Sequence, residues 1–179
     1  ITYRSLGRLE GALRLRRDVY SATLKLYGEE HKDTLLETNN YASSLVRLQR
    51  FEEAKSLLRK TMPVARRVLG ENHELTLKMR WFYAESLYRD DGATLDDLRE
   101  AVTTLEETER TARRVLGGSH PVTRSIEGDL LDARAALRAR EEPLPSPWEA
   151  YRDDAGMLYY HNHETGESVW TLPEEAYSR

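Results

Sequence analysis

Val68-Leu69-Gly70-Glu71-Asn72-His73-Glu74-Leu75-Thr76-Leu77 decides how most of this chain is read. The stretch has an upstream echo in Leu26-Tyr27-Gly28-Glu29-Glu30-His31-Lys32-Asp33-Thr34-Leu35. It has a downstream one in Val115-Leu116-Gly117-Gly118-Ser119-His120-Pro121-Val122-Thr123. The shared pattern is apolar-apolar-Gly-x-x-His-x-x-Thr, and its glycines lie 42 and then 47 residues apart. A period of this size marks a stacked array in which one supersecondary unit repeats. Within each copy Gly ends one helix, and the short polar loop opens the next.

The segments between these loops carry apolar residues at helical spacing. Gly7 to Tyr27 reads as a helix through Leu9, Leu13, Val19 and Leu24 or Leu26. The next helix, which Asp33 can cap, carries Leu35, Tyr41, Ala42, Leu45 and Leu48. After a turn at Gln49-Arg50-Phe51, Ala54, Leu57, Leu58, Val64, Val68 and Leu69 mark its partner, and Pro63 inside that helix predicts a kink. The second unit repeats the plan with Leu75, Leu77, Trp81, Ala84, Leu87 and Tyr88, then Leu98, Val102, Leu105, Ala112, Val115 and Leu116. A longer turn beginning Asp90-Asp91-Gly92-Ala93-Thr94 separates its helices, and Thr94 or Asp96 can cap the second. This insertion accounts for the longer second period. A last helix from about Pro121 to Glu142 has Arg134, Arg138 and Arg140 for a wet outer face, as an array cap needs. His31, His73 and His120 recur once per loop and read as loop-stabilising residues.

Asp33-Thr34-Leu35 with Asn39-Asn40-Tyr41-Ala42, followed by Phe51-Glu52-Glu53-Ala54, resembles a tetratricopeptide repeat of the longer, kinesin-light-chain type. Leu6-Gly7-Arg8-Leu9-Glu10-Gly11-Ala12-Leu13 resembles the turn and second helix of a preceding unit. The resemblance covers residues 1–142 and implies an α-solenoid of antiparallel helix pairs with a concave, peptide-binding side. On that side the first helices would present Leu36, Asn39, Ser43 and Arg47 in one unit. In the next they would present Lys78, Trp81, Glu85 and Arg89. Asn39 could hold a peptide backbone, and Trp81 could be an exposed anchor or an inter-helix packing residue.

Composition narrows the classes. Hydrophobic residues make up 39% and charged residues 32%, as expected for helices with long solvated faces. Cysteine is absent, which removes disulfides, thiolate metal sites and a Cys nucleophile, and fits a reducing compartment, cytoplasmic or nuclear. No apolar run approaches the ~18 residues of a membrane span, so no membrane partner is expected. Net charge is −4, with two arginines against seven carboxylates from Pro143 onward and interleaved signs before it. Neither part offers the basic face that nucleic acid demands. There is no glycine-rich phosphate loop, metal cluster or activated nucleophile, so neither an enzyme nor a cofactor is expected. The chain starts at Ile1 rather than Met, which reads as a piece of a longer protein.

Pro143-Leu144-Pro145-Ser146-Pro147 stops helical structure, and the residues beyond it differ in kind. Trp148-Glu149-Ala150-Tyr151-Arg152 reads as a strand, Asp153-Asp154-Ala155-Gly156 as a turn, and Leu158 to Asn162 as a second strand. Glu164-Thr165-Gly166 is another turn and Glu167 to Trp170 a third strand, giving an antiparallel meander. Alternation places Tyr159, His161 and His163 on one face, with Ser168 and Trp170 beside them on the third strand. Tyr159 and Trp170 then form two aromatic walls that accept a proline ring, and Ser168 can donate to a ligand carbonyl. His161 and His163 lack a third ligand, so no metal site is expected.

Leu144-Pro145-x-x-Trp148, Gly156-x-x-Tyr159-Tyr160-x-Asn162-His163-x-Thr165-Gly166 and Trp170-x-x-Pro173 together resemble a WW domain, a small three-stranded antiparallel β-sheet module, here within residues 143–179. The resemblance implies that Trp148, Tyr160 and Pro173 form its small core, that Asn162 anchors the backbone, and that Tyr159 and Trp170 hold a polyproline II ligand. His161, His163 and Gly166 stand where this family selects the residue beyond the prolines. Tyrosine-selecting members carry an aliphatic residue at the place of His161 and a longer side chain at that of Gly166. Pro-Pro-x-Tyr and a plain proline-rich segment therefore both stay open as ligands. Asp153 and Asp154 in the first loop would repel a phosphate.

These readings combine into a mainly α interaction protein, an adaptor or scaffold: a helical array that takes a second, unidentified protein or peptide, joined to a module for proline-rich segments. The competing expectation is a degenerate WW module, with only the array binding as part of a larger scaffold or motor-associated protein. Oligomeric state is not legible.

Overall fold

In a computed structural model, residues 3–141, 147–153 and 158–170 are described. Six helices come first: α1 Tyr3–Tyr27, α2 Lys32–Arg47, α3 Phe51–Leu69, α4 Glu74–Tyr88, α5 Leu95–Val115 and α6 Pro121–Glu141. Three short strands come after them: β1 Trp148–Arg152, β2 Leu158–Asn162 and β3 Ser168–Val169. The expected fold class is therefore the observed one. The chain divides into two compact units, residues 1–137 and 138–179.

Each of the first five helices packs on its neighbour in sequence, and α2 also packs on α4. That next-but-one contact is how stacked helix pairs bury a continuous core. The repeat is visible in the packing itself. Thr34, Leu35, Ala42 and Leu45 of α2 are buried, and so are Thr76, Leu77, Ala84 and Leu87, each 42 positions later in α4. In α3 the buried set is Ala54, Leu58, Thr61 and Ala65; in α5 Ala101, Leu105, Thr108 and Ala112, each 47 positions later, are buried together with Leu98. The five extra residues fall in the Asp90–Thr94 turn, where Gly92 N–H donates to Asp90 Oδ1 and Ala93 N–H to the Asp90 carbonyl. Alanine at 42, 54, 65, 84, 101 and 112 lets helices approach closely. Each fully buried leucine contributes about 1.5–3 kcal/mol.

The recurring histidine has a definite job. His31 and His73 are the N-caps of α2 and α4 in extended backbone, and each Nδ1 accepts the backbone N–H two residues on, from Asp33 at 3.2 Å and Leu75 at 3.1 Å. His120 Nδ1 accepts from Val122 N–H at 3.3 Å. Imidazole thus takes the place usually held by Ser, Asp or Asn, and Asp33, expected as the cap, lies inside the first turn. Thr94, by contrast, caps α5 in a full capping box with Asp97. The hydroxyl and N–H of Thr94 hold the Asp97 carboxyl below the usual range.

Helix ends follow their glycines: Gly28, Gly70 and Gly117 have φ of +82°, +91° and +92°. Gln49 does the same work without being glycine, at φ +58°. Its N–H donates to the Val46 carbonyl and that of Arg50 to the Leu45 carbonyl, the Schellman pattern that closes α2. The helix α3 runs unbroken through Pro63.

One expectation for α1 is corrected: Leu13 is buried, but Val19 is 45% exposed, because α1 has α2 as its main packing partner and part of its surface stays open. Of the alternatives Leu24 and Leu26, Leu24 is half-buried and Leu26 is 73% exposed. The third strand is also shorter than expected, because only Ser168 and Val169 pair with β2.

Candidate peptide-binding surfaces

The strands pair antiparallel in the order β1-β2-β3. Tyr151 faces Tyr159 and Glu149 faces His161 across β1 and β2, and His161 faces Ser168 across β2 and β3. Side chains alternate along each strand, so Glu149, Tyr151, Tyr159, His161 and Ser168 share one face. Trp148, Ala150, Tyr160, Asn162 and Val169 share the other. Trp170 comes after β3 on the first face. Its ring centroid is 6.0 Å from that of Tyr159 with the planes at 68°, and the residue is 61% exposed.

The opposite face holds the buried side chains Trp148 and Asn162. Asn162 Oδ1 accepts the N–H groups of Glu164 (2.9 Å) and Thr165 (3.1 Å), shaping the turn that Gly166 completes at φ +74°. Tyr160 is half-buried. Pro173, expected to complete this core, lies outside the described residues, as does most of the first turn.

The sequence reading missed Tyr151. Its ring stacks on Tyr159 with centroids 5.8 Å apart at 27°, so three aromatic rings run side by side across the strands. The hydroxyl donates to Glu149 Oε2 at 2.8 Å. That bond, with His163 Nε2 at 3.1 Å from the same oxygen, holds the Glu149 carboxyl below its usual range. The period-two alternation that placed Tyr159 and His161 applies equally to Glu149 and Tyr151, and was the available signal. The imidazoles of His161 and His163 lie 5.0 Å apart, edge to face. Among the described residues no third side chain joins them into a metal-binding group. Ser168, read as free to meet a ligand carbonyl, has its Oγ 2.9 Å from His161 Nδ1.

On the helices, the predicted groove residues separate. Arg47 is exposed, and Ser43 and Lys78 are half-buried. Lys78 and the exposed Leu36 line one cleft of about 320 Å³ between the starts of α2 and α4, together with Leu69, Leu75, Lys32 and the carboxylates Asp33 and Glu74. Asn39 is buried, and its Oδ1 has no hydrogen-bond partner among the described residues.

The second-unit residues are engaged within the fold. Trp81, considered as an exposed anchor, is half-buried, stacks on Phe82 at 4.8 Å, and donates its indole N–H to Asp129 of α6. Glu85 is buried and bridges to Arg89 at 2.9 Å. Arg89 reaches Asp129 at 3.1 Å, and the Tyr88 hydroxyl donates to the same carboxylate at 2.8 Å. Burial pushes the Glu85 carboxyl up to about 7; Arg89 opposes the rise and Asp129 adds to it. Asp129 was not legible as a partner, because it meets Trp81, Tyr88 and Arg89 across one full repeat of chain.

A second cleft, of about 270 Å³, lies between α3 and α5 over α4. Its guanidinium groups are already matched: Arg59 to the Tyr83 hydroxyl, Arg66 to Glu71 and Arg80 to Glu107.

A family model described as a tetratricopeptide repeat matches residues 38–74, and one described as a WW domain matches residues 144–173. The first covers the span from α2 to the opening of α4, and the second the whole sheet. Both kinds of domain are, in general, non-catalytic protein–protein interaction modules. No curated protein matches the chain.

Proposed function

We propose that this chain is a non-enzymatic adaptor that captures two peptide segments, one on each module. The helical array (residues 1–142) is read as the kinesin-light-chain type of tetratricopeptide repeat, and residues 143–179 as a ligand-binding WW module working in the cytoplasm or nucleus. The observation that carries the reading is the pair Tyr159 and Trp170, with ring centroids 6.0 Å apart and Trp170 61% exposed. Two near-perpendicular aromatic walls grip a proline ring, and a polyproline II segment arrives extended, so binding orders little. Tyr151, stacked outside Tyr159, lengthens the aromatic surface and favours a plain proline-rich run over Pro-Pro-x-Tyr.

On the array, the cleft bounded by Leu36 and Lys78 supports a second site, for a segment with an apolar side chain. Two sites on one chain raise effective concentration when one partner carries both segments.

The test is a calorimetric titration of the full chain with Pro-Pro-Leu-Pro and Pro-Pro-x-Tyr peptides. Trp170→Ala is expected to lose all measurable binding while helical circular dichroism is unchanged. Binding that survives in Trp170→Ala sinks the proposal. The competing reading, in which the sheet is inert and only the helices bind, has one observation in its favour: Ser168 Oγ, the group expected to reach the ligand, already has a partner in His161.

A further inference from the structure

The pairing of His161 with Ser168 has its own chemistry. The two residues face each other across β2 and β3, and His161 Nδ1 lies 2.9 Å from Ser168 Oγ. One hydrogen must sit between these atoms, and its origin depends on the tautomer and the charge of the ring. A neutral imidazole that carries its proton on Nε2 accepts a hydrogen bond from the Ser168 hydroxyl at Nδ1. An imidazolium carries protons on both nitrogens. Its Nδ1–H then donates to Ser168 Oγ, and the hydroxyl proton turns outward.

The geometry points to His161 as a positioning residue for the proline-rich ligand, setting whether the hydroxyl of Ser168 is free to donate to a ligand carbonyl. This inference rests on the reading of the Tyr159–Trp170 face as a ligand site. Ser168 is exposed and lies two residues before Trp170, beside the aromatic walls. A carbonyl of a segment seated there is an acceptor without an internal partner, because polyproline II makes no hydrogen bonds of its own. With the hydroxyl spent on neutral His161, that carbonyl gains nothing from Ser168. With His161 charged, it gains one O–H···O bond.

Other groups face His161. His163 lies beside it in sequence, with ring centroids 5.0 Å apart. From β1 come Glu149, its Cα partner, and Tyr151, whose ring meets it edge-on at 6.4 Å. From β3 comes Ser168. Glu149 Oε2 is already held by Tyr151 at 2.8 Å and by His163 at 3.1 Å. Among the described residues, His161 therefore has Ser168 as its close polar partner. His163 pairs with Glu149 and makes no hydrogen bond to Ser168 among the described residues.

Imidazoles change charge between about pH 5 and pH 8, which sets the sign. The imidazolium form binds better, and affinity should fall as pH rises. A single neutral hydrogen bond of this kind changes affinity about fivefold.

The test is calorimetry on the full chain with an N-acetylated, C-amidated Pro-Pro-Leu-Pro peptide, which has no titratable group, from about pH 5.5 to about pH 8. The expected result is about fivefold tighter binding at the acid end, retained in His163→Asn and abolished in both Ser168→Ala and His161→Leu. A slope that persists in Ser168→Ala, or a flat wild-type profile with clear binding, overturns the assignment and leaves the ligand site standing. Absence of binding at every pH overturns the ligand site itself. Tryptophan fluorescence of each variant, matching wild type across the range, establishes that the sheet is folded.

Discussion

Trp81 of α4 donates its indole N–H to the carboxylate of Asp129 in α6. The same carboxylate accepts the Tyr88 hydroxyl at 2.8 Å and meets the Arg89 guanidinium at 3.1 Å. One acid thus collects two donors from α4 and a third from Arg89 at its C-cap, and ties the last helix to the array. Asp129→Ala would leave the Trp81 indole N–H and the Tyr88 O–H without their acceptor, and Arg89 with Glu85 and the Tyr88 hydroxyl oxygen. The expected loss is about 2–3 kcal/mol of unfolding free energy, below the cost of a fully buried pair because Arg89 is partly exposed. Urea denaturation checks it, and Asp129→Asn should lose less, since an amide oxygen can still accept.

Glu85 makes stability depend on pH. Burial raises its carboxyl to about 7 in the folded chain, against about 4.3 for an unfolded glutamate. The folded state therefore holds the proton more tightly, and stability falls as pH rises between these values. Relative to Glu85→Gln, the wild type should lose on the order of 2 kcal/mol between about pH 5 and about pH 8. Denaturation of both proteins at the two ends measures the difference. A constant gap would show that Glu85 is ionised throughout.

Gln49 occupies the left-handed region at φ +58° while its N–H closes α2 on the Val46 carbonyl. A side chain there costs about 1–2 kcal/mol, and glycine returns part of that gain through its freer unfolded chain. Gln49→Gly should stabilise by about 0.5–1 kcal/mol. Gln49→Val, β-branched at the same φ, should destabilise. Thermal melts of the pair give the sign directly.

His73 Nδ1 accepts the N–H of Leu75 at 3.1 Å and so satisfies one donor at the start of α4. His73→Ala should cost about 1 kcal/mol. His73→Asp should match or exceed wild type, because a carboxylate both caps and complements the helix N-terminus. If alanine is neutral, the imidazole contributes nothing to the cap.

The histidine loop shows how far sequence could go. Its recurrence with Gly and Thr announced the array and its phase, and the structure then buried Thr34, Thr76 and Thr123 at equivalent places. Recurrence alone, however, could not say that the ring nitrogen is the cap. That depends on extended backbone at His31 and His73, and the nearby Asp33 was an equally good candidate on residue type. The aromatic pair Tyr159 and Trp170 was legible because strand alternation and a short turn fix the register. Tyr151 obeyed the same rule and was passed over because it belongs to none of the recurring motifs.

Sequence by itself determined the elements: six helices phased by glycine loops, a proline-rich break and a three-stranded meander. Such features are local, set by spacing, turn residues and backbone preference within a few positions. Tertiary structure alone decided which polar groups remain available. Trp81 was open between exposed anchor and packing residue, and Ser168 was read as a donor to a ligand; each has a partner that no local rule could name: Asp129, 48 residues away, and His161 on the neighbouring strand. A hydrogen bond depends on ångström-scale placement of two atoms, and across distant segments only the packed fold sets that distance.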